Sequence, residues 1–498
     1  MVPCEPVPPT SRGEARAQCA LFGLLLFLPA LICFFRDALD DADVWWHLSA
    51  GQWILAHGAW PTVDGFTSHA AGGPWTAYSW LPELILYGLY RALGLRGLML
   101  FTGALSVAIV AAFYALIRRL GTERRATVVL TLAFILGLIT VQTPRPWLFS
   151  ILLCVIELDL LLTARRTGRH RLLLWLVPLF ALWANMHIQF VLGLVILGLA
   201  VVEPLLVRFL PGADSGDRSG TIPWGWMLSV SVLCAAATLV NPYHYHLYEV
   251  AWQLVGQSRL WNLIQELAAM PFRSIENWIV LAVAVAAGFA LGWRRREVPL
   301  LLVLLFPLAL YCGFRSQRDV WFVLLVGLAV LAHAVPKPAA GKRIAPSSWN
   351  WAVAGAVGMA VVAGSLLSGE SRLRQQVAES FPVGATQFIA EEQCSGPMFN
   401  PFDWGGYLIY HLPQIPVSID GRTMVHGEAR ILQHANTLRG LEGWRDDPQL
   451  AEARTVLLRR HTALSSLLEL DDRFRLIYED SVAVVFFQKR GPERPDHA

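Results

Sequence analysis

A short acidic and aromatic segment near the N-terminus holds the residues best suited to chemistry. Asp41 and Asp43 are separated by one residue and are followed by Trp45, Trp46 and His47. Two carboxylates at this spacing can share a divalent cation or act as a general base beside an electrophile. The tryptophans can stack on a sugar ring, or they can belong to an aromatic belt at the membrane surface, with solvated acids beside them.

A second segment with unusual residues lies far along the chain. It reads Asn400-Pro-Phe-Asp403-Trp404-Gly405-Gly406-Tyr407 and is followed by Ser-Ile-Asp-Gly-Arg at 418–422. The plain structural interpretation is a Gly-Gly turn between two strands, with a packed aromatic residue.

Single polar residues at the ends of apolar stretches form a third group. Arg145 lies between two prolines, and Arg315 and Arg318 follow a later apolar stretch. A guanidinium group there can bind a phosphate or diphosphate through charge-assisted hydrogen bonds, or it can be a snorkelling cation. His187, close to Asn185, can bind the same phosphate-bearing molecule, or it can take part in helix capping.

The composition places these residues in a membrane protein. Of 498 residues, 55% are hydrophobic and 15% are charged, against about 25% charged residues in soluble proteins. The positive charges behind the net charge of +3 are scattered, which argues against a nucleic-acid-binding face. The seven cysteines lack the spacing of a disulfide framework or a zinc site.

Apolar stretches of roughly 16 to 22 residues recur along the chain, long enough to cross a hydrocarbon core of about 30 Å as helices, the shorter ones only just. They predict about eleven membrane spans, at 18–36, 97–117, 126–141, 147–164, 172–186, 189–208, 224–240, 277–293, 298–313, 319–335 and 349–367.

Basic residues predict the orientation of these spans, because cytoplasmic loops are enriched in Lys and Arg. They cluster in the N-terminal tail and in alternate loops, at Arg12, Arg16, Arg118, Arg119, Arg124, Arg125, Arg165, Arg166, Arg169, Arg171, Arg294, Arg295, Arg296, Lys337, Lys342 and Arg343. An odd number of spans then places the C-terminal region outside.

The sequence therefore predicts a cytoplasmic tail at 1–17, a transmembrane domain at 18–368 and an extracytoplasmic α/β domain at 369–498. Within the first outer loop, 37–96, the stretch 78–93 is predicted to be an amphipathic helix lying along the membrane. In the last domain, helical patterns at 381–392 and 462–470 alternate with β-prone runs at 417–419, 455–458 and 482–487.

The first outer loop resembles that of the GT-C superfamily of membrane glycosyltransferases, since the acidic pair precedes aromatic residues, a histidine and Gly51-Gln-Trp-Ile. The resemblance implies a mainly α, polytopic bundle with a catalytic carboxylate in this loop and a sugar donor on a polyprenyl phosphate. It implies Asp43 or Asp41 as the base or acceptor-orienting group, and Asp43 is favoured because it is nearer the helix expected from Trp45. His47 joins the substrate-binding residues, and a divalent cation, Mg²⁺ or Mn²⁺, could be bound.

The segment 400–423 is similar to the acceptor-recognition region of oligosaccharyltransferase catalytic subunits. There a Trp-Trp-Asp-Tyr-Gly-type motif precedes a short strand and an Asp-containing loop; here the order of Trp and Asp differs. The similarity implies substrate contacts by Asp403, Trp404, Tyr407, Asp420 and Arg422. A glutamate in a comparable outer loop of those enzymes points to Glu266.

Together the residues and these resemblances predict a membrane glycosyltransferase of a bacterial inner membrane, which moves a sugar from a polyprenyl-phosphate donor to an extracytoplasmic glycan, lipid or protein acceptor.

 We expect the protein in that membrane with its N-terminus in the cytoplasm. The alternatives are a transporter or flippase for a lipid-linked or anionic substrate, and a non-catalytic protein of envelope assembly. The enzyme interpretation requires the acidic pair and the Gly-Gly-Tyr segment to meet in one compartment.

Overall fold

The computed structural model describes residues 12–35, 39–207, 222–335 and 348–489. Predictions for residues 1–11 of the tail, for Lys337, Lys342 and Arg343, and for the chain end at 490–498 lie outside the described residues. The chain divides into two compact units, which are described separately. The helical unit comprises residues 1–36, 99–244 and 261–367, and the mixed unit comprises residues 37–98, 245–260 and 368–498.

The described residues form helices and a small sheet. The α-helices are α1 Arg12–Phe35, α2 Asp43–His57, α3 Trp80–Leu93, α4 Leu95–Arg119, α5 Arg124–Gly137, α6 Trp147–Thr167, α7 Leu176–Met186, α8 Phe190–Val207, α9 Trp224–Ala237, α10 His246–Gly256, α11 Ile275–Arg294, α12 Leu300–Arg315, α13 Val320–Ala334, α14 Ser348–Leu367, α15 Glu370–Ser380, α16 Val383–Glu391, α17 Gly405–His411, α18 Thr423–Leu438, α19 Pro448–Glu452 and α20 Ala463–Glu469. The strands are β1 Met398–Phe399, β2 Thr455–Arg459, β3 Phe474–Glu479 and β4 Ala483–Gln488.

The apolar stretches of the sequence are helical, as predicted. A helix lies at each of the eleven predicted positions, namely α1, α4 to α9 and α11 to α14. Among the described residues, five helices are long and apolar enough to cross a membrane, or six if the broken pair Ala352–Leu367 and Glu370–Ser380 is one span. The chain is therefore an integral membrane protein of mainly helical fold, but the number of about eleven spans is not confirmed.

The helical unit is held together by apolar side chains that helices present to one another. Helix α13 is buried on nearly all of its faces, which is the expected environment for a helix that is apolar all round. A second cluster joins α1 to α4, α5 and α14 through residues such as Leu26, Val110, Ile135 and Val361.

The mixed unit contains a four-stranded sheet with the order β1-β2-β4-β3. Strand β1 is parallel to β2, and β2, β4 and β3 pair in antiparallel fashion. Alternate residues such as Phe399, Val456, Leu458 and Phe486 face a buried core. The predicted helices at 381–392 and 462–470 are confirmed as α16 and α20, and the β-prone runs at 455–458 and 482–487 are confirmed as β2 and β4.

The prediction of a strand at 417–419 is wrong. Only Val417 makes β-bridges, one to Met398 and one to Thr67. Strand pairing ends at Val417 because the side chain of Asn400 hydrogen-bonds the backbone of the next two residues. It accepts from the N–H of Ser418 at 2.9 Å and donates to the carbonyl of Ile419 at 2.8 Å. Strand β3, in contrast, was not predicted.

Candidate functional site

The acidic pair lies at the beginning of α2, in the mixed unit. The backbone N–H of Asp43, the first residue of the helix, donates to Asp41 Oδ1 at 3.1 Å. Both residues are half-buried, whereas α2 is buried from Val44 to Gly51. An acid in the first turn is stabilised by the positive end of the helix dipole. The N-terminal end of α2 thus holds both carboxylates where solvent can reach them.

The Gly-Gly-Tyr segment packs directly against this helix end. It is not a turn between strands, as the plain structural interpretation had it: helix α17 begins at Gly405. A Cβ on Gly406 would lie 2.9 Å from the carbonyl oxygen of Ala42 and 3.1 Å from the backbone nitrogen of Trp46. Only glycine permits this approach of α17 to α2, so the acidic pair and the Gly-Gly-Tyr segment meet as the enzyme interpretation requires.

The turn at Asp420 and Gly421 touches the carboxylate of Asp43 itself. A Cβ on Gly421 would overlap Asp43 Oδ1 and would lie 2.8 Å from Asp43 Cγ and 3.2 Å from Trp46 Nε1. The carboxylate of Asp420 shapes the turn by accepting from the backbone N–H of Arg422 at 2.8 Å. The position of the Asp43 carboxylate is therefore limited by residues that lie far away in the sequence.

Arg422 is buried behind this turn, with its guanidinium group paired to two carboxylates. Nε and Nη2 donate to Asp420 at 2.9 and 2.7 Å, and Nη2 also lies 2.8 Å from Asp64 Oδ1. Burial opposes the charged form of Asp420, but Arg422 and His426 outweigh it and hold the pKa of this carboxyl well below its usual range. At neutral pH the turn thus contains a fixed ion pair.

His47 is buried on α2 and pairs with a glutamate of the neighbouring helix. Its Nδ1 lies 3.1 Å from Glu83 Oε1, and both side chains are almost completely buried. Burial raises the pKa of Glu83 to about 8, although the positive charge of Arg422 acts in the opposite direction. The predicted substrate contact of His47 is untested; the structure shows His47 in this buried pair and against the ring of Trp46.

Trp404 and Tyr407 are also buried, and Asp403 is exposed. Trp404 Nε1 donates to the carbonyl of Ser380 at 3.0 Å. Tyr407 packs edge-on against Trp45, with ring centroids 5.0 Å apart, and stacks on Phe381.

Asp403 pairs with Arg459, whose guanidinium group lies over the ring of Trp404. Among the candidates of the mixed unit, Asp41, Asp43 and Asp403 are therefore the side chains that retain access to solvent.

The remaining candidates belong to the helical unit. Arg145 Nη1 lies 3.1 Å from Glu266 Oε2, and its guanidinium group lies 4.6 Å from the centre of the Trp147 ring. The segment that carries Glu266 is fixed by backbone hydrogen bonds, of which the one from Gln317 N–H to the carbonyl of Ala268 is 3.0 Å long. Arg145 and Glu266, predicted separately, are thus brought together as an ion pair.

His187 lies close enough to Arg145 and Arg318 for their positive charges to act on its ring. Its Nδ1 is 2.9 Å from Ser150 Oγ, at the point where α7 ends. Burial, helped by the positive charges of Arg318 and Arg145, lowers the pKa of His187 to about 3. Arg315 lies over the ring of Trp261 and donates to Tyr311 Oη at 2.5 Å. His187 is therefore neutral at physiological pH, and the positive charge of this region comes from the arginines.

The acidic pair by itself offers two carboxylate groups to a cation. Among the described residues, no group of three or more His, Cys, Asp or Glu side chains is arranged to hold a metal ion. Mg²⁺ is commonly bound by one or two carboxylates together with substrate phosphates and water. Asp41 and Asp43 can supply those two carboxylates, and the presence of Mg²⁺ or Mn²⁺ stays a prediction.

Three residues that organise the site were not predicted from the sequence. Asp64 and His426 hold the Asp420–Arg422 turn, and Glu83 pairs with His47. Glu83 lies within the stretch 78–93 that was predicted as an amphipathic helix, and its burial was the missing information. Asp64 lies in a Gly-containing loop where a solvated acid is ordinary, so no local signal could have linked it to Arg422.

The fold has counterparts among solved structures, although no protein-family model and no curated protein sequence matches the chain. One is the archaeal oligosaccharyltransferase AglB from Archaeoglobus fulgidus in complex with an inhibitory peptide and a dolichol-phosphate. Its TM-score is 0.53 at 11% identity, over 90% of this chain and 70% of that chain.

Two further structures of the Archaeoglobus fulgidus oligosaccharyltransferase are similar at 12% identity. The form tethered to an acceptor peptide with the NVT sequon has a TM-score of 0.53, over 90% of this chain and 69% of that chain. The apo form has a TM-score of 0.52, over 87% and 69%. The expected resemblance to oligosaccharyltransferase catalytic subunits is confirmed for the fold, and at this identity it extends to the fold alone.

Proposed function

We propose that this protein is a membrane glycosyltransferase that transfers a sugar from a polyprenyl-phosphate-linked donor to an extracytoplasmic acceptor. The observation that carries the proposal is the direct packing of α17 and the Gly421 turn against the acidic start of α2. This contact joins the two segments that the sequence singled out, and it leaves Asp43 half-exposed. The oligosaccharyltransferase-like fold supports the same conclusion.

The donor phosphate is assigned to the arginines of the helical unit. Arg145, Arg315 and Arg318 provide guanidinium groups, and the neutral ring of His187 lies close to Arg145 and Arg318. Arginine binds phosphate oxygens through paired hydrogen bonds and stays charged even where it is half-buried. Without a bound phosphate, the ion pair with Glu266 holds the Arg145 side chain in place.

The acceptor is assigned to Asp43, with Asp41 beside it. In the transfer, the bond from the sugar carbon C1 to the phosphate oxygen breaks and a bond from C1 to the acceptor hydroxyl or amide forms. The acceptor's proton goes to the carboxylate of Asp43, and the electron pair of the broken bond stays on the phosphate. A divalent cation held by the acidic pair would supply Lewis-acid stabilisation of developing negative charge.

The proposed setting is a bacterial inner membrane crossed about eleven times, with the N-terminus in the cytoplasm and residues 369–498 outside. The basic residues of alternate loops support this orientation through the positive-inside rule. Under this arrangement the acceptor is a glycan, lipid or protein of the cell envelope.

Transfer of label from radioactive polyprenyl-phosphate sugars to envelope acceptors tests the proposal, with the purified protein in lipid nanodiscs. Asp43→Asn should lower the rate about 10²–10⁴-fold, the usual contribution of general-base assistance. Asp472→Asn, at an exposed acid of the same unit, should leave the rate unchanged. Full activity of Asp43→Asn would contradict the proposed mechanism. Absence of transfer by the wild type with every donor would contradict the proposed function.

Transport of a lipid-linked or anionic substrate is the second candidate, and one observation favours it. Glu157 lies in the middle of α6, fully buried, and neither carboxylate oxygen has a hydrogen-bond partner among the described residues. Buried acids within membrane helices often mark ion or proton pathways. The transporter would be favoured if a labelled donor crosses liposome membranes without sugar transfer and Glu157→Gln abolishes this movement. An assembly protein would be favoured if the protein binds envelope glycans and shows neither activity.

A further inference from the structure

Arg422 joins two segments of the mixed unit that are far apart in the sequence. Asp64 belongs to the first outer loop and Asp420 to the C-terminal region, and both carboxylates contact the same guanidinium nitrogen, Nη2. The three charged side chains are almost completely buried. A buried ion pair of this kind contributes little net stability, but removal of one partner is costly because it leaves an uncompensated charge.

The surroundings of Arg422 leave the guanidinium group one orientation. Rings of Phe66 and Trp75 lie 5.0 and 4.6 Å from its central carbon. Asp64 is held in turn by Thr67, whose backbone N–H donates to Oδ2 at 3.1 Å. The planar fork of arginine is therefore fixed by two carboxylates and two aromatic rings, an arrangement that lysine cannot reproduce.

Gly421 connects this ion pair to the acidic pair. It lies between Asp420 and Arg422 in the sequence and is in contact with the carboxylate of Asp43. Any displacement of the Asp420–Arg422 turn therefore changes the space that the Asp43 carboxylate can occupy.

We infer that Arg422 is a positioning residue for Asp43: by clamping the Asp420–Gly421 turn to the Asp64 loop, it sets the position of the carboxylate that orients the acceptor. This inference rests on the proposed glycosyl transfer for its kinetic consequence, but its structural part does not. It also gives Arg422 a role that needs no contact with substrate, consistent with its burial.

Arg422→Lys is the kinetic test, because lysine keeps the positive charge and loses the fork. We expect kcat to fall about 100-fold, as for a reacting group displaced by roughly 1 Å, with the KM for the donor unchanged. The matched control is Arg430→Lys, since the half-buried Arg430 is paired with the buried carboxylate of Asp447, which is not part of the Asp420–Arg422 turn. Equal kcat for Arg422→Lys and wild type would overturn the inference.

Disulfide trapping tests the position without any enzyme activity. Asp43→Cys combined with Gly421→Cys brings two thiols together, because the Asp43 Cγ lies 2.8 Å from the Cβ site of residue 421. The rate of cross-linking, followed by peptide mass spectrometry in intact membranes, should fall about tenfold when Arg422→Gln is added. It should stay unchanged when Arg430→Gln is added.

The two experiments separate the possible failures. Cross-linking that is insensitive to Arg422→Gln contradicts the positioning role, whatever the activity of the protein. Sensitive cross-linking in a protein that transfers no sugar leaves the clamp intact and contradicts the proposed function instead. If Arg422→Gln prevents insertion, Asp64→Asn provides the second variant, because it removes one carboxylate and keeps the Asp420 pair.

Discussion

The contact between Gly421 and Asp43 predicts a variant that loses activity and keeps its stability. In Gly421→Ala, the added methyl group would overlap Asp43 Oδ1. The overlapped atom is the outer end of a short side chain and not backbone, so the carboxylate can shift by roughly 1 Å while both backbones stay in place. A displacement of this size at a reacting group costs about 10²-fold in rate. The free energy of unfolding should change by less than the ~1–3 kcal/mol typical of overpacked cores.

Sugar transfer and thermal unfolding, measured on the same nanodisc preparation, check this prediction. The matched control is Gly88→Ala on α3, where an added Cβ has no neighbour within 4 Å. We expect normal activity from the control and about 1% of normal activity from Gly421→Ala, with similar melting temperatures for both. Full activity of Gly421→Ala would refute the dependence on carboxylate position. A loss of activity that merely follows a loss of folded protein would refute it as well.

Three further predictions concern stability. Gly406→Ala should lower the free energy of unfolding by about 1–3 kcal/mol, because its methyl group meets the backbone of α2, which cannot rotate away; a melting temperature equal to wild type contradicts this. Asn400→Leu should cost about 1–3 kcal/mol for each of the two backbone groups at 418–419 that lose their partner, and limited proteolysis should cleave the variant sooner. Burial raises the pKa of Glu83 to about 8, so its protonated form stabilises the fold fully below pH 4.5 and this contribution is lost as the pH rises toward 8. Glu83→Gln should therefore show a smaller fall in melting temperature than wild type between about pH 5 and pH 8; parallel curves would contradict the assignment.

The membrane helices could be predicted because their signal is local. A long apolar stretch must satisfy its backbone hydrogen bonds within itself in lipid, and so it becomes a helix whatever the rest of the chain does. Helices α16 and α20 of the mixed unit were predicted from a different local signal, the helical spacing of their apolar residues, and Thr462 supplies a capping box for α20. Strand β3 was not predicted, and its ends carry charged and exposed residues such as Arg475 and Glu479.

The site could be predicted only as two separate segments. Residue types and their spacing singled out Asp43 and the Gly-Gly-Tyr segment. No local feature of the sequence shows that Gly406 lies against α2. The burial of His47 and Arg422 depends on Glu83 and Asp64, whose own sequence surroundings are those of surface acids. Contacts between residues hundreds of positions apart are set by tertiary packing, which a single sequence does not display.

The bridge between Thr67 and Val417 has a consequence for biosynthesis. Ser68 donates to the carbonyl of Val417 across 349 residues of chain. At a synthesis rate of about 5–20 residues per second, the first loop waits roughly 20–70 s for its partner. During that interval Trp45, Glu83 and Asp64 have no C-terminal region to cover them. The nascent loop must be sheltered by lipid or by a chaperone, and a chain that stalls before residue 417 should be an early target for proteases of its compartment.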